Sequence, residues 1–301
     1  MGKIVVVGGI NIDVEGRPFE KIKYQDSNPG KIKLSFGGVG RNITENLARM
    51  GEETAMLAVI GDDDMGKAAK EELRTLGVDV SGIEMREGMS TAMYLAILNN
   101  KNDMELGLCD MDIIDYVTED FLERHMDKLK SADVIAVDGN LKQETLEYVA
   151  GNIDKPIFFD PVSSLKGIRG KKVLGRFEAI KPNVIEAEAL LDMEIKDEAD
   201  VILAANKFHE LGVKKVFITL NKDGVYYSDG KESGFLRPGS VNLVSATGAG
   251  DAFSSAILKG LKDQIPVGEI AKIGMVAAGI AMEAEGAVNK NITIDKIKER
   301  I

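Results

Sequence analysis

The sequence predicts an α/β protein: a doubly wound, mostly parallel sheet flanked by helices, with a small β-sheet lid. Short β-branched runs alternate with amphipathic stretches, as parallel strands joined by crossover helices do. The runs are continuous, as in Val134-Ile135-Ala136-Val137, which fits strands covered on both faces. Two segments, Val14–Phe36 and Thr91–Leu108, break that rhythm with short alternating strands and no helix nearby.

In chain order, core strands are expected at Lys3–Val7, Glu53–Ile60, Val134–Asp138, Ile157–Asp160, Ala179–Lys181 and Lys215–Thr219. Helices are expected at Val39–Met50, Asp64–Leu76, Thr118–Lys130, Gln143–Asn152 and Asn183–Leu191. Three more follow at Glu198–Leu211, Gly248–Lys262 and Val267–Ala284. The interrupting segments carry turns at Asn28-Pro29-Gly30 and Asn99-Asn100-Lys101-Asn102. Inserted after core strands, they would pair into a sheet over the carboxyl ends, where open α/β sheets bind ligands. This divides the chain into an α/β domain over 1–13, 37–90 and 109–301 and a lid over 14–36 and 91–108.

Composition narrows the function. With 44% hydrophobic and 29% charged residues, 301 residues can build one large domain with a small subdomain. No run of about 18 apolar residues is present to span a membrane. Met1-Gly2-Lys3 leads straight into Ile4-Val5-Val6-Val7, unlike a signal peptide, so a cytoplasmic address is expected. A net charge of −11 argues against a nucleic-acid partner. Cys109 has no disulfide partner, and His125 and His209 lack metal-ligand spacing, so all three read as structural.

The strongest motif is Ala246-Thr247-Gly248-Ala249-Gly250-Asp251, which follows a β-like stretch at Ser240–Val244 and opens an apolar helix. Its glycines allow a tight turn, and first-turn N–H groups can bind an anion. Asp251 either complements the helix dipole or accepts a proton from a hydroxyl attacking a phosphoryl group. The sequence lacks G-x-x-x-x-G-K-[ST], and Gly8-Gly9-Ile10-Asn11-Ile12-Asp13 is not G-x-G-x-x-G, so neither a P-loop nor a dinucleotide site is expected. Asn11 and Asp13 either end the first strand or grip vicinal hydroxyls. Gly37-Gly38-Val39-Gly40-Arg41-Asn42 makes a hinge, with Asn42 in the following helical turn. In Lys181-Pro182-Asn183-Val184-Ile185-Glu186, Asn183 and Glu186 have capping-box spacing and also stand where a hydrated Mg²⁺ would sit beside phosphates.

In this order and separation, the motifs resemble the ribokinase-like PfkB carbohydrate and nucleoside kinases, over essentially the whole chain. The resemblance implies transfer of the ATP γ-phosphate to a primary hydroxyl of a sugar or nucleoside. It implies Asp251 as catalytic base, with Gly248, Ala249 and Gly250 as the anion hole. Asn11, Asp13, Gly37, Gly38 and Asn42 would bind the acceptor. Asn183, Thr219, Lys222, Gly224, Thr247 and Gly286 would contact the nucleotide, and Glu186 would hold Mg²⁺ through water. A homodimer through the lid is also implied. Many members carry Asp-Thr before Thr-Gly-Ala-Gly-Asp, where the Asp helps hold a monovalent cation. Here the pair is Ser245-Ala246, which leaves a K⁺ requirement open.

Finer details are similar to the branch that phosphorylates pseudouridine. These are Ser27-Asn28-Pro29-Gly30-Lys31, the Gly37–Asn42 turn, Asp110-Met111-Asp112-Ile113, and Asp160-Pro161-Val162-Ser163 with Lys166. By that similarity Ser27 and Lys166 would make polar contacts to the base.

Overall fold

Apolar runs buried on both faces assemble into the larger of two sheets. The computed structural model describes residues 3–101, 103–239 and 242–301. Its strands are β1 (Lys3–Val7), β2 (Asn11–Pro18), β3 (Gly30–Gly37), β4 (Glu53–Gly61), β5 (Asp79–Arg86), β6 (Ala92–Leu98) and β7 (Met104–Asp110). There follow β8 (Val134–Asp138), β9 (Ile157–Asp160), β10 (Ala179–Ile180), β11 (Lys215–Thr219), β12 (Val225–Ser228) and β13 (Ser233–Leu236). The first helices are α1 (Val39–Arg49), α2 (Asp64–Thr75), α3 (Glu119–Arg124), α4 (Met126–Ser131), α5 (Gln143–Asn152) and α6 (Ser164–Gly167). The rest are α7 (Val184–Leu191), α8 (Glu198–Glu210), α9 (Ala249–Lys262), α10 (Val267–Met282) and α11 (Ile294–Lys298).

The large sheet runs β13-β12-β11-β10-β9-β8-β1-β4-β5. It is parallel from β11 to β5, with β12 and β13 antiparallel at one edge. Successive side chains enter opposite cores. Val5 and Phe159 pack with Phe121, Leu146 and Phe208 on one face. Ile4 and Phe158 pack with Leu47, Leu73 and Phe253 on the other. The chain winds from β1 to β4 and β5, then returns to β8 on the other side of β1. The carboxyl ends of β1 and β8 therefore flank the crevice where such sheets bind ligands.

The small sheet has the order β3-β2-β6-β7, with β2 and β6 parallel and the outer pairs antiparallel. Its strands reach beyond the expected 14–36 and 91–108, because β2 begins at Asn11 and β7 ends at Asp110. Asn11 and Asp13 thus lie within a strand of this sheet instead of terminating β1.

Other expectations shift as well. The helix expected over 118–130 breaks at His125, which has φ −110°. Its ring is drawn to Glu84 on β5 at 3.0 Å and packs edge-on against Phe121. Of the stretch expected as a strand at 240–244, Asn242 to Val244 are irregular and exposed, and Ser240 and Val241 lie outside the described residues, as do Met1, Gly2 and the turn residue Asn102. Cys109 is exposed on β7 instead of packed inside.

The start of α1 is pinned by buried charge. Arg41 pairs with Glu45 and, at 2.7 Å, with Glu72, while Glu45 also holds Arg49 at 2.7 Å. Arg41 and Glu45 are 3% and 2% exposed. Glu45→Ala should leave that arginine short of a counter-charge and cost about 3–5 kcal/mol, read as a lower urea midpoint at unchanged slope.

Candidate active site

Strand ends place the chemistry. Asp138 and Asp160 are the last residues of β8 and β9, and Lys181 directly follows β10. All three are buried. They face the first turn of α9, which carries Asp251. Lys181 Nζ lies 3.4 Å from Asp160 Oδ2, and 3.4 Å from where a Cβ on Gly250 would stand. Ser254, one turn along α9, donates its hydroxyl to Asp160 Oδ2 at 2.7 Å.

The turn opening α9 requires glycine at its first position. Gly248 has φ +80°, and a Cβ there would fall 1.7 Å from the Ala287 carbonyl oxygen. The first helical bond runs from Ala252 N–H to Gly248 O at 3.0 Å. The N–H groups of Ala249, Gly250 and Asp251 precede it and have no partner within the helix. Gly250 is exposed, so this turn faces solvent. Such a terminus can accept an anion. Thr247 is exposed beside it, its N–H bonded to Ser245 Oγ at 3.2 Å.

Asp251 connects this turn to the start of α1, which directly follows β3 of the small sheet. Its Oδ2 accepts a hydrogen bond from Asn42 Nδ2 at 2.8 Å. Asn42 is buried and also accepts from Arg41 Nη1 at 3.2 Å. Further along the same edge, Asn11 Nδ2 donates to Asp13 Oδ1 at 2.6 Å. Gly37 pairs with Asn11 across β2 and β3, and a Cβ there would meet Asp13 Oδ2 at 2.1 Å. Gly38, at φ +99°, packs against Asn11 and the Gly9 carbonyl. Asn11, Asp13, Gly37, Gly38, Asn42 and Asp251 are therefore contiguous.

Burial sets the proton affinities here. Asp251 is pushed up to about 7, first by desolvation and then by the Asp160 and Asp138 charges. The Asn42 hydrogen bond and Lys181 oppose that rise. Asp138 is pushed up to about 6 by burial, although the N–H groups of Asn140 and Gly9 favour its carboxylate. Asp13 is raised by burial, against Asn11 and Arg41. Burial would strip Lys181 of its proton, but Asp160, Glu186 and Asp251 together hold its affinity above the ordinary lysine value.

Asn183 and Glu186 form a capping box on α7. Asn183 N–H donates to Glu186 Oε2, and Glu186 N–H to Asn183 Oδ1, both at 2.9 Å. Glu186 is buried, which raises its pKa. Its Oε1 takes no part in the cap. Thr219 ends β11 and forms a parallel bridge with Asn183. Lys222 is exposed on the turn that follows, and Gly224 closes that turn at φ +98°. Gly286, at φ +87°, sits in open space next to Ala287, whose carbonyl abuts Gly248.

The two base-contact candidates separate. Lys166 Nζ donates to Asn140 Oδ1 at 2.6 Å, in the loop after β8, so it stands near Asp138. Ser27 is exposed in the turn between β2 and β3, its N–H bonded to the neighbouring Asp26. Asp138, Asp160 and Lys181 are site residues that no motif in the sequence marks out as such. The signal available was an ionisable residue ending each of three apolar strands.

This is the geometry of a site for transferring a charged group to a hydroxyl: a half-buried carboxylate of raised pKa beside a turn of amides that have no partner within the helix. The pfkB family carbohydrate kinase model matches residues 1–294. The chain is 34% identical to the pseudouridine kinase of Escherichia coli (strain K12), across 98% of this chain and 95% of that one. It is 30% identical to the guanosine-inosine kinase of Exiguobacterium acetylicum, across 96% and 97%. The crystal structure of ribokinase from Thermotoga maritima superposes with a TM-score of 0.88 at 24% identity, covering 99% of both chains. The chain belongs to the PfkB family and has the ribokinase-like fold. It is an ATP-dependent phosphotransferase acting on a sugar or nucleoside hydroxyl.

Gly248→Ala should fail on both backbone conformation and space. We expect a stability loss of at least about 1–3 kcal/mol, together with disappearance of the shift in melting temperature that ATP confers on the parent protein.

Proposed function

We propose that the chain transfers the γ-phosphoryl group of ATP to the 5′-hydroxyl of pseudouridine, with Asp251 as general base. The observation that carries this mechanism is the Asn42–Asp251 hydrogen bond, which joins the acceptor edge to the anion turn. The ribose hydroxyls are held by Asn11 and Asp13, with Gly37 and Gly38 giving close backbone approach and Asn42 orienting the sugar. Asp251 takes the proton of the 5′-hydroxyl as that oxygen bonds to the γ-phosphorus. The bond from phosphorus to the bridging oxygen breaks, and ADP leaves. The amides of 248–251 hold charge on the transferring oxygens, with Lys181 beside them.

Asn183, Thr219, Lys222, Gly224, Thr247 and Gly286 form the nucleotide side. Among the described residues no group of three or more acidic, His or Cys side chains could cage a metal ion. That fits Mg²⁺, which keeps several waters and binds through one or two carboxylates plus phosphates. Glu186 would hold it through water by its spare oxygen, and the ion would neutralise phosphate charge. Pseudouridine is supported by the similarity to the E. coli pseudouridine kinase along nearly all of both chains. Lys166 would touch the base, and Ser27 would do so only with the small sheet closed over the acceptor. The enzyme would act on a free metabolite in the cytoplasm; no described helix is long and apolar enough to cross a membrane.

The small sheet is also the proposed dimer surface. Register aligns Leu34, Val14, Leu95 and Leu108 in one row, and Ile32, Gly16, Ile97 and Leu106 in the next. Ile32, Leu34, Leu106 and Leu108 are more than half exposed, so this apolar face calls for a partner. A second copy meeting it across a two-fold axis buries the same face on both sides. Leu34→Glu with Leu106→Lys should convert a dimer to a monomer in analytical ultracentrifugation, and a monomeric parent would refute this surface.

Kinetics test the mechanism. Asp251→Asn should lower kcat at least about 100-fold while binding pseudouridine with near-parental affinity. Near-normal turnover would remove Asp251 from its role. Because the base works as a carboxylate, kcat/KM should rise with pH and level off above about 7. Asn42→Ala deletes a hydrogen bond that favours the carboxylate, so that limb should move to higher pH. A panel of pseudouridine, uridine, inosine, guanosine, adenosine and ribose tests the substrate. Preference for any member but pseudouridine would retire the acceptor assignment and keep the chemistry.

A further inference from the structure

The small sheet's polar face carries a tyrosine whose placement follows from the register. Asp13 on β2 pairs with Ser35 on β3 and with Tyr94 on β6, and Tyr94 pairs with Cys109 on β7. These four residues form one row on one face, since directly paired residues point the same way. Lys33 and Glu15, on the same face one row further out, are also paired. This face is turned toward the large sheet's domain. Asn11, two residues from Asp13, sits against Gly38 at the start of α1. Lys33 reaches Glu285, in the loop after α10, at 2.9 Å.

Tyr94 lies along the sheet. Its hydroxyl donates to Met104 Sδ at 3.2 Å. A Cβ on Gly107 would come within 3.0 Å of that hydroxyl and 3.6 Å of Cζ. Glycine at 107 thus leaves room for the tip of the ring against β7. Tyr94 is half-buried.

An acceptor held as proposed above would have its base over this ring. Asp251 and Asn42 are reached from β3, which leads into α1, so the reacting 5′ end of a ribose held at Asp13 points to the β3 side. The anomeric carbon lies across the sugar ring from that direction, and its substituent projects over β6. We propose that Tyr94 is the stacking platform for the acceptor's base and selects nucleosides over free pentoses. The proposal rests on the nucleoside reading above. Every base presents a π face, so stacking favours a nucleoside without choosing among bases. That choice is left to groups at the base edge, such as Lys166.

The test is steady-state kinetics of the full-length enzyme, Tyr94→Phe and Tyr94→Ala with pseudouridine and ATP, with ribose measured as acceptor or competitive inhibitor. Tyr94→Ala should raise KM for pseudouridine about tenfold or more, leaving KM for ATP and the ribose constant within about twofold of the parent. Tyr94→Phe, which keeps the ring, should match the parent. An unchanged pseudouridine KM in Tyr94→Ala would overturn the platform, as would an equal loss for ribose, which would indicate a loosened sheet. A parent enzyme that phosphorylates ribose but no nucleoside would instead bring down the acceptor reading, and the platform with it. Cys109 gives an independent readout, because pseudouridine bound under this row should slow its alkylation by iodoacetamide. Equal alkylation rates with and without saturating pseudouridine would overturn the placement.

Discussion

Three acids, Asp160, Glu186 and Asp251, share one buried cation, Lys181, and the site is organised around that imbalance. Asp138, Asp160, Glu186 and Asp251 converge on the carboxyl edge of the sheet, and Lys181 is the positive group among them. Buried charges are tolerated only when paired or hydrogen-bonded. Desolvation first, and then the neighbouring Asp160 and Asp138 charges, drive Asp251 far from its ordinary 3.8, up to about 7. A folded state that binds this proton more tightly than the unfolded chain loses stability as pH rises from about 4 to about 7. The fold gives up that stability at neutral pH and in return holds a carboxylate of raised proton affinity at the start of α9, the property that the proposed general base requires.

The remaining acids are satisfied by backbone, and this positions the acceptor edge. Asp138 Oδ2 accepts from Gly40 N–H at 3.0 Å and Gly9 N–H at 3.3 Å, and Oδ1 from Asn140 N–H at 2.8 Å. One side chain thereby ties the exit of β1, the entry of α1 and the loop after β8. With the entry of α1 fixed there and clamped by Arg41 through Glu45 and Glu72, Asn42 has little choice but to face Asp251. Asp138 thus fixes where α1 begins, and with it the place of Asn42 beside Asp251.

The parallel core was legible because its strands are continuous apolar runs of a length only a buried strand needs. β5 was not, since Asp79–Arg86 mixes Asp, Ser, Gly and Glu with its apolar residues and pairs only along one edge. The break at His125 depends on Glu84, which is distant in sequence and reaches it only through the fold. The Gly248–Asp251 turn and the Asn183–Glu186 cap were legible because their geometry is local. Asp138, Asp160 and Lys181 belong to separate strands, and no spacing in the sequence joins them. Gly37 to Asn42 was readable as a hinge, but the pairing of Asn11 with Gly37 depends on a strand that begins three residues earlier than alternation suggested.

The small sheet carries two surfaces on a period of two. Its polar face meets the cleft through Asn11, Asp13 and Lys33, and its apolar face points outward through Ile32, Leu34, Leu106 and Leu108. A one-residue slip in register would exchange these faces, so the proposed acceptor and dimer surfaces are specified by the same pairing. The contact that draws the sheet toward the nucleotide side is the exposed Lys33–Glu285 pair. Exposed ion pairs contribute only about 0–1 kcal/mol, too little to hold a lid shut. On the proposed reading, closure would draw on contacts made by the acceptor itself, at Asp13 and over the row that includes Tyr94. A site that excludes water only once the acceptor is in place keeps the activated phosphoryl group from water in its absence.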